Sequence, residues 1–168
     1  MRDHLRERDL RDSILRLTPI DDEVSQRVRR QYEENPYPRW VHAAGHVVPT
    51  SIDRYLREQF PTGAFTPLNK NENLDVLVAG CGTGQIAVAS AQKYLGARVL
   101  ALDLSLTSLC YAKRSTPRDV APRIEYAQAD ILKLAPLERR FDMRLFGAIF
   151  RKSGLNCSPF EMFTGFKT

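Results

Sequence analysis

The chain has 168 residues, 43% of them hydrophobic and 27% charged, with a formal net charge of +5. That length accommodates one domain with a sizeable core, and no apolar run approaches the roughly 20 residues a membrane helix needs, so no spanning segment is expected. Cys81, Cys110 and Cys157 are too few and too scattered for a disulfide framework or a CxxC metal site. The densely charged Met1–Arg8 start lacks the apolar stretch of a secretory signal, which leaves a reduced, cytoplasmic chain as the expectation.

In chain order, residues 1 to about 20 read as a charged, mostly helical arm ending at Pro19. Asp21 or Asp22 is placed to cap a second helix through Tyr32, with Val24, Val28 and Tyr32 on one face. Asn35-Pro36-Tyr37-Pro38 must end it, because each proline pushes its predecessor out of the helical region. Residues 41–49 read as loop, and Ser51 as the cap of a short amphipathic helix carrying Ile52, Tyr55, Leu56 and Phe60. Residues 61–73, with Gly63, Pro67 and two asparagines, read as a linker.

At Leu74 the pattern changes. A buried strand over 75–79 runs into Gly80, and a helix over 85–94 is ended by Gly96. A second strand over 98–102 ends at Asp103, and Ser105 caps a helix to about Arg114. A third strand over 124–127 is followed by Asp130, and 141–150 holds a candidate fourth. Alternation at this spacing means βαβ units, hence an α/β fold with a parallel sheet and right-handed crossovers. The division expected is an arm and linker over 1–73, a domain over 74–150 and an atypical tail over 151–168.

The excess positive charge sits late, in Arg139, Arg140, Arg144, Arg151, Lys152 and Lys167, with no interleaved aromatics. It reads as solvated charge rather than a nucleic-acid surface, although a basic nucleic-acid binder stays as the third and weakest functional reading. His42 and His46 share metal-ligand spacing, but Gly45 lies between them and no third ligand is near, so a polar loop is the better reading. Tyr32, Tyr37 and Trp40 read as packing aromatics, and Cys81 as a loop spacer with no basic partner to activate it.

The informative stretch is Gly80-Cys81-Gly82-Thr83-Gly84, between a buried strand and a helix. Glycines here allow a sharp turn and let a ligand approach bare backbone at a helix N-terminus. Asp103, about twenty residues on, can accept hydrogen bonds from both hydroxyls of a ribose, and Asp130 can meet an adenine amino group. Together they describe an adenosine site. The dinucleotide fingerprint G-x-G-x-x-G is not met, because the third glycine comes at Gly84 and Gln85 stands in its place; no Gly-Lys-Ser/Thr follows to make a phosphate loop.

The G-x-G-x-G spacing resembles the first motif of class I (Rossmann-like) S-adenosylmethionine-dependent methyltransferases. Ala101-Leu102-Asp103-Leu104-Ser105, then 126–132 and Phe141-Asp142, follow in that family's order and spacing. Upstream, Tyr32-Glu33-Glu34-Asn35-Pro36-Tyr37-Pro38-Arg39-Trp40 resembles a segment of a bacterial subgroup often attached to tetratricopeptide repeats. The resemblance implies a cofactor site of Gly80, Cys81, Gly82, Thr83 and Gly84 at the methionine part, Asp103 with Leu104 at the ribose, and Asp130 with Ile131 at adenine. It implies methyl transfer from S-adenosylmethionine to an unidentified acceptor.

Two departures qualify it. Val78 stands where many members carry an acid, which shifts the cofactor's amino-acid end onto backbone groups or Tyr32. Asp142 lies closest on this reading to the acceptor, with a structural role at the strand start as an equal alternative. After it the sequence leaves the family's pattern, and Arg144 is costly inside a central strand unless paired. Residues 151–168 are too few for further βαβ units of about thirty residues. A truncated, frameshifted or internally deleted product is expected, with a sheet incomplete on its C-terminal side. The alternative functional reading is therefore an inactive remnant that acts, if at all, as a cofactor-binding or interaction module.

Overall fold

Parallel strands form one sheet in a computed structural model that describes residues 10–36, 40, 47–134 and 139–146. The strands are β1 (Leu15–Arg16), β2 (Leu74–Ala79), β3 (Ala97–Asp103), β4 (Ile124–Gln128) and β5 (Met143–Phe146), lying side by side as β1-β4-β3-β2-β5. The helices are α1 (Glu23–Glu34), α2 (Ile52–Gln59), α3 (Gln85–Lys93) and α4 (Leu106–Ser115). The chain steps outward from β2 through β3 to β4, then crosses back to β5 on the far side of β2. That reversal makes the sheet Rossmann-like and puts a crevice at the carboxyl ends of the strands, where α/β folds bind ligands.

Both faces of the central strands are buried, as a parallel sheet requires. Val76, Val78, Val99, Ala101 and Tyr126 face one core with Ala87 and Ala91 of α3, Leu109 and Ala112 of α4, and Ile52, Tyr55 and Leu56 of α2. Leu77, Leu100, Leu102 and Ala127 face the other, against Leu17, Leu134 and Phe141. In β5, Met143 and Leu145 point inward while Arg144 is exposed. Among the described residues β5 pairs only with β2, so Arg144 reaches solvent and incurs no buried-charge penalty. The expected incompleteness of the sheet falls on residues 147–168, outside the described ones.

The helix boundaries follow their capping residues. Asp22 accepts the Ser25 N–H at 2.8 Å, Ser51 the Arg54 N–H at 3.2 Å and Ser105 the Ser108 N–H at 3.1 Å, each satisfying an orphan donor of a first turn. After α3 the chain turns through Gly96 at φ +64°, where a Cβ would stand 2.4 Å from Glu72 Cα. No helix of the described residues is long and apolar enough to cross a membrane.

The N-terminal segment departs from its helical reading. Arg11–Ser13 form one 3-10 turn, and Leu15 and Arg16 then pair with Ala127 and Gln128 along the outer edge of β4. The Leu17 N–H donates to the Gln128 carbonyl at 2.9 Å. An edge strand presents a row of unpaired backbone groups, and pairing with it satisfies them while Ile14 enters the core. Residues 1–9 lie outside the described ones. In α1, Val28 and Tyr32 of the expected face are half-buried, but Val24 is 63% exposed and the neighbouring Ser25 is buried in its place. Phe60 after α2 is likewise half-exposed.

The segment over 61–73 has no regular structure, yet it is tied down. The buried Asp53 of α2 accepts the N–H groups of Leu68 at 2.8 Å and Asn69 at 2.7 Å, which holds Asn69 at φ +53°. Asp53→Ala leaves two backbone donors without their acceptor, and we expect a loss of about 2–3 kcal/mol, read as a lower urea midpoint at unchanged m-value.

Candidate functional site

The loop after β2 is fixed by its own hydrogen bonds. The Cys81 N–H donates to the Leu102 carbonyl at 2.8 Å, docking the loop on β3, and the Gly84 N–H donates to the Cys81 carbonyl at 2.9 Å. The Gly82 N–H donates to Asp103 Oδ2 at 2.7 Å. Gly84, at φ +86°, is the N-cap of α3. A Cβ there would lie 2.6 Å from Ala112 Cβ and 2.9 Å from Tyr126 Oη, so α3, α4 and β4 meet as closely as they do only because this residue is glycine. Thr83 is buried, and its carbonyl accepts the Trp40 indole N–H at 2.7 Å. Trp40 is held in turn by the Tyr111 hydroxyl, which donates to its carbonyl, and it packs with Val88 and Tyr111. Trp40 is thus a packing residue braced against the glycine loop.

The half-buried Asp103 ends β3 and joins that loop to the start of α4. Its Oδ1 accepts the Ser105 N–H at 2.9 Å while Oδ2 takes that of Gly82, and each oxygen keeps a further lone pair. Desolvation raises its pKa from the ordinary value; the N–H groups of Ser105, Gly82 and Leu104 oppose the rise, and the charge of Glu33 adds to it. Cys81 is buried, and that burial, with the negative Asp103 nearby, pushes its thiol well above the ordinary value. A nucleophilic thiolate needs the reverse.

Asp130 is fully buried beyond the end of β4. Its Oδ1 accepts the Leu132 N–H at 3.0 Å and so caps a short turn over Ile131–Lys133; its Oδ2 is buried and has no hydrogen-bond partner among the described residues. The Asp130 N–H donates to Thr18 Oγ1 at 2.7 Å. Leu104 and Ile131 are half-buried beside the two acids. Gln128 carries its amide to the Leu104 carbonyl at 2.7 Å and links the ends of β3 and β4.

The structure therefore unites Gly82 and Asp103 by a direct bond and places Asp130 on the adjoining strand end. Asp142 is elsewhere. It starts β5, accepts the Asp75 N–H at 2.9 Å and pairs with Lys70 at 2.7 Å, at the end of the sheet opposite the glycine loop. Of its two sequence readings the structural one holds, since its carboxylate pins a strand start, and the position nearest an acceptor is corrected. Tyr37, His42, His46 and Cys157 lie outside the described residues, and Tyr32 is half-buried on α1. Sequence reasoning missed Glu33 and Thr18, both bonded to the turns that carry the two acids. The one available signal was that Glu33 belongs to the 32–40 segment singled out on other grounds.

The chain is 28% identical over 116 residues to a tRNA1(Val) (adenine(37)-N6)-methyltransferase of Vibrio campbellii, which covers 68% of this chain and 45% of that protein. It is 30% identical over 104 residues to a malonyl-[acyl-carrier protein] O-methyltransferase of Priestia megaterium, covering 62% of this chain and 35% of that one. The chain thus spans less than half the length of these curated relatives. Among solved structures, magnesium protoporphyrin IX methyltransferase from Synechocystis PCC 6803 with bound S-adenosylhomocysteine superposes with a TM-score of 0.49 at 19% identity, covering 74% of this chain and 58% of that one. Residues 76–153, from the strand before the glycine loop onward, match the family of methyltransferase domains.

Proposed function

We propose that this chain binds S-adenosylmethionine at the carboxyl ends of β2, β3 and β4 and serves methyl transfer to an acceptor. The observation that carries the reading is the Asp103 carboxylate, which is fastened to the glycine loop through Gly82 and keeps lone pairs for two ribose hydroxyls. The N–H groups of Cys81, Gly82 and Gly84 are bonded within the protein, so the loop offers them to no pyrophosphate, which weighs against a dinucleotide. The match of residues 76–153 to methyltransferase domains supports the same reading.

The buried Asp130 Oδ2, without a partner among the described residues, is a fit for a ligand that brings an amino group, as adenine does. Gly80, Cys81, Gly82, Thr83 and Gly84 would line the methionine part, Leu104 and Ile131 would flank the base, and Asp103 would hold the ribose. When bound, the cofactor supplies a methyl group already activated on a sulfonium. What remains for the protein is to orient donor and acceptor and to exclude water. No catalytic acid or base is assigned. The 32–40 segment would place the chain in the bacterial subgroup it resembles, a reading supported by the direct bonds that Glu33 and Trp40 make to the site.

Isothermal titration of S-adenosylmethionine, S-adenosylhomocysteine and NAD+ into the purified chain tests this. Micromolar binding of the first two with none of NAD+ is expected. Tighter binding of NAD+, or no binding by a folded chain, overturns it, and the second result would favour an inactive remnant.

A further inference from the structure

The N-terminal segment is unused by the motifs of the cofactor site, yet its contacts converge there. The Leu106 N–H donates to Glu33 Oε1 at 2.6 Å, across 73 residues of sequence. Glu33 Oε2 accepts from the Thr107 hydroxyl at 2.5 Å and from the Arg11 guanidinium at 2.6 Å. Leu106 and Thr107 open α4 directly after Asp103, Leu104 and Ser105. A carboxylate at this point satisfies an orphan donor and meets the positive end of the helix dipole. The same segment supplies Thr18 to the Asp130 N–H, and Asp21 pairs with Lys133 just beyond it. Both acid-bearing turns are thus fastened by one stretch of chain.

We propose that residues 10–36 are a working part of the adenosine site, with Glu33 as the positioning residue that fixes the turn over 103–107 and so aims Asp103 at the ribose; this rests on the S-adenosylmethionine reading above. Glu33 also acts on Asp103 through its charge, since it adds to the upward pull on that carboxyl. Among the described residues, the titratable groups set against Asp103 are Glu33 from α1 and the Cys81 thiol from the glycine loop, with Arg11 behind Glu33. A purely structural cap has no reason to tune the proton affinity of the ribose-binding acid. Glu33 has one.

The test is titration of S-adenosylhomocysteine into wild type, Glu33→Gln and Arg11→Gln across about pH 5 to 8, with thermal melts as a check on folding. Near neutral pH, Glu33→Gln is expected to bind roughly tenfold more weakly, the scale of one lost charge-assisted hydrogen bond. Its acid limit of binding moves to lower pH, because the like charge beside Asp103 is gone. Arg11→Gln moves that limit to higher pH, because the Glu33 charge is left uncompensated. Arg11 is half-exposed, so this variant carries the test should Glu33→Gln fold poorly. Unchanged affinity and unchanged acid limits in both folded variants overturn the proposal while leaving the cofactor reading intact. A folded wild type that does not bind overturns both.

Discussion

Replacing Asp103 with alanine is expected to weaken S-adenosylhomocysteine binding by about 100-fold or more while the chain still folds. Two hydroxyl-to-carboxylate hydrogen bonds are worth roughly 1.5–3 kcal/mol each, and tenfold in affinity corresponds to about 1.4 kcal/mol. The Gly82 and Ser105 N–H groups also lose their acceptor, so the loop and the start of α4 loosen in the same variant. Asp103→Asn should fail nearly as badly, because its amide turns one of the two acceptors toward an N–H as a donor. Calorimetry of both variants, with melting curves beside them, checks the result; wild-type affinity in either contradicts it.

The pH dependence has a definite sign. Burial raises the Asp103 pKa in the folded chain, so protonating it favours the unliganded fold: that contribution is complete below the unfolded value and is lost as pH rises through the folded one. Cofactor binding runs the other way, since the ribose hydroxyls need the ionised carboxylate. Acidification through the folded value therefore weakens binding before Asp103 itself gives any reason to unfold.

Gly84→Ala is expected to destabilise the fold by about 2–4 kcal/mol, the sum of a left-handed backbone and an overfilled contact. The added methyl would meet Ala112 Cβ at 2.6 Å and Tyr126 Oη at 2.9 Å. Ala112 already carries the smallest side chain it can without becoming glycine, so α4 must shift, and with it Ser105 and the turn that holds Asp103. Loss of stability and loss of cofactor binding should appear together in this variant. A urea midpoint within experimental error of wild type would show that the packing at Gly84 is looser than these distances imply.

The sheet was legible because its signals are local. The short apolar runs at β2 and β3 suit strands buried on both faces, and Ser105 and Gly96 punctuate the helices between the strands as capping chemistry requires. The link between Gly82 and Asp103 was legible in kind, as a glycine loop and an acid on neighbouring strand ends. Residues 10–20 were misread because two residues of edge strand have no periodicity, and their stability comes from an edge more than a hundred residues away. Val24 misled for a related reason: α1 is docked near its C-terminal end by the grip of Glu33 on α4, so Val28 and Tyr32 are half-buried while Val24, a turn or more away, is exposed. Asp142 was open to a functional or a structural reading because it follows the motifs in sequence, and only the strand register puts it at the far end of the sheet.

The most direct measurement is a crystal structure of the chain with S-adenosylhomocysteine. Both ribose hydroxyls are expected on Asp103, the glycine loop against the homocysteine part, and the adenine amino group donating to Asp130 Oδ2. A ligand seated elsewhere, or one whose ribose turns away from Asp103, would contradict it.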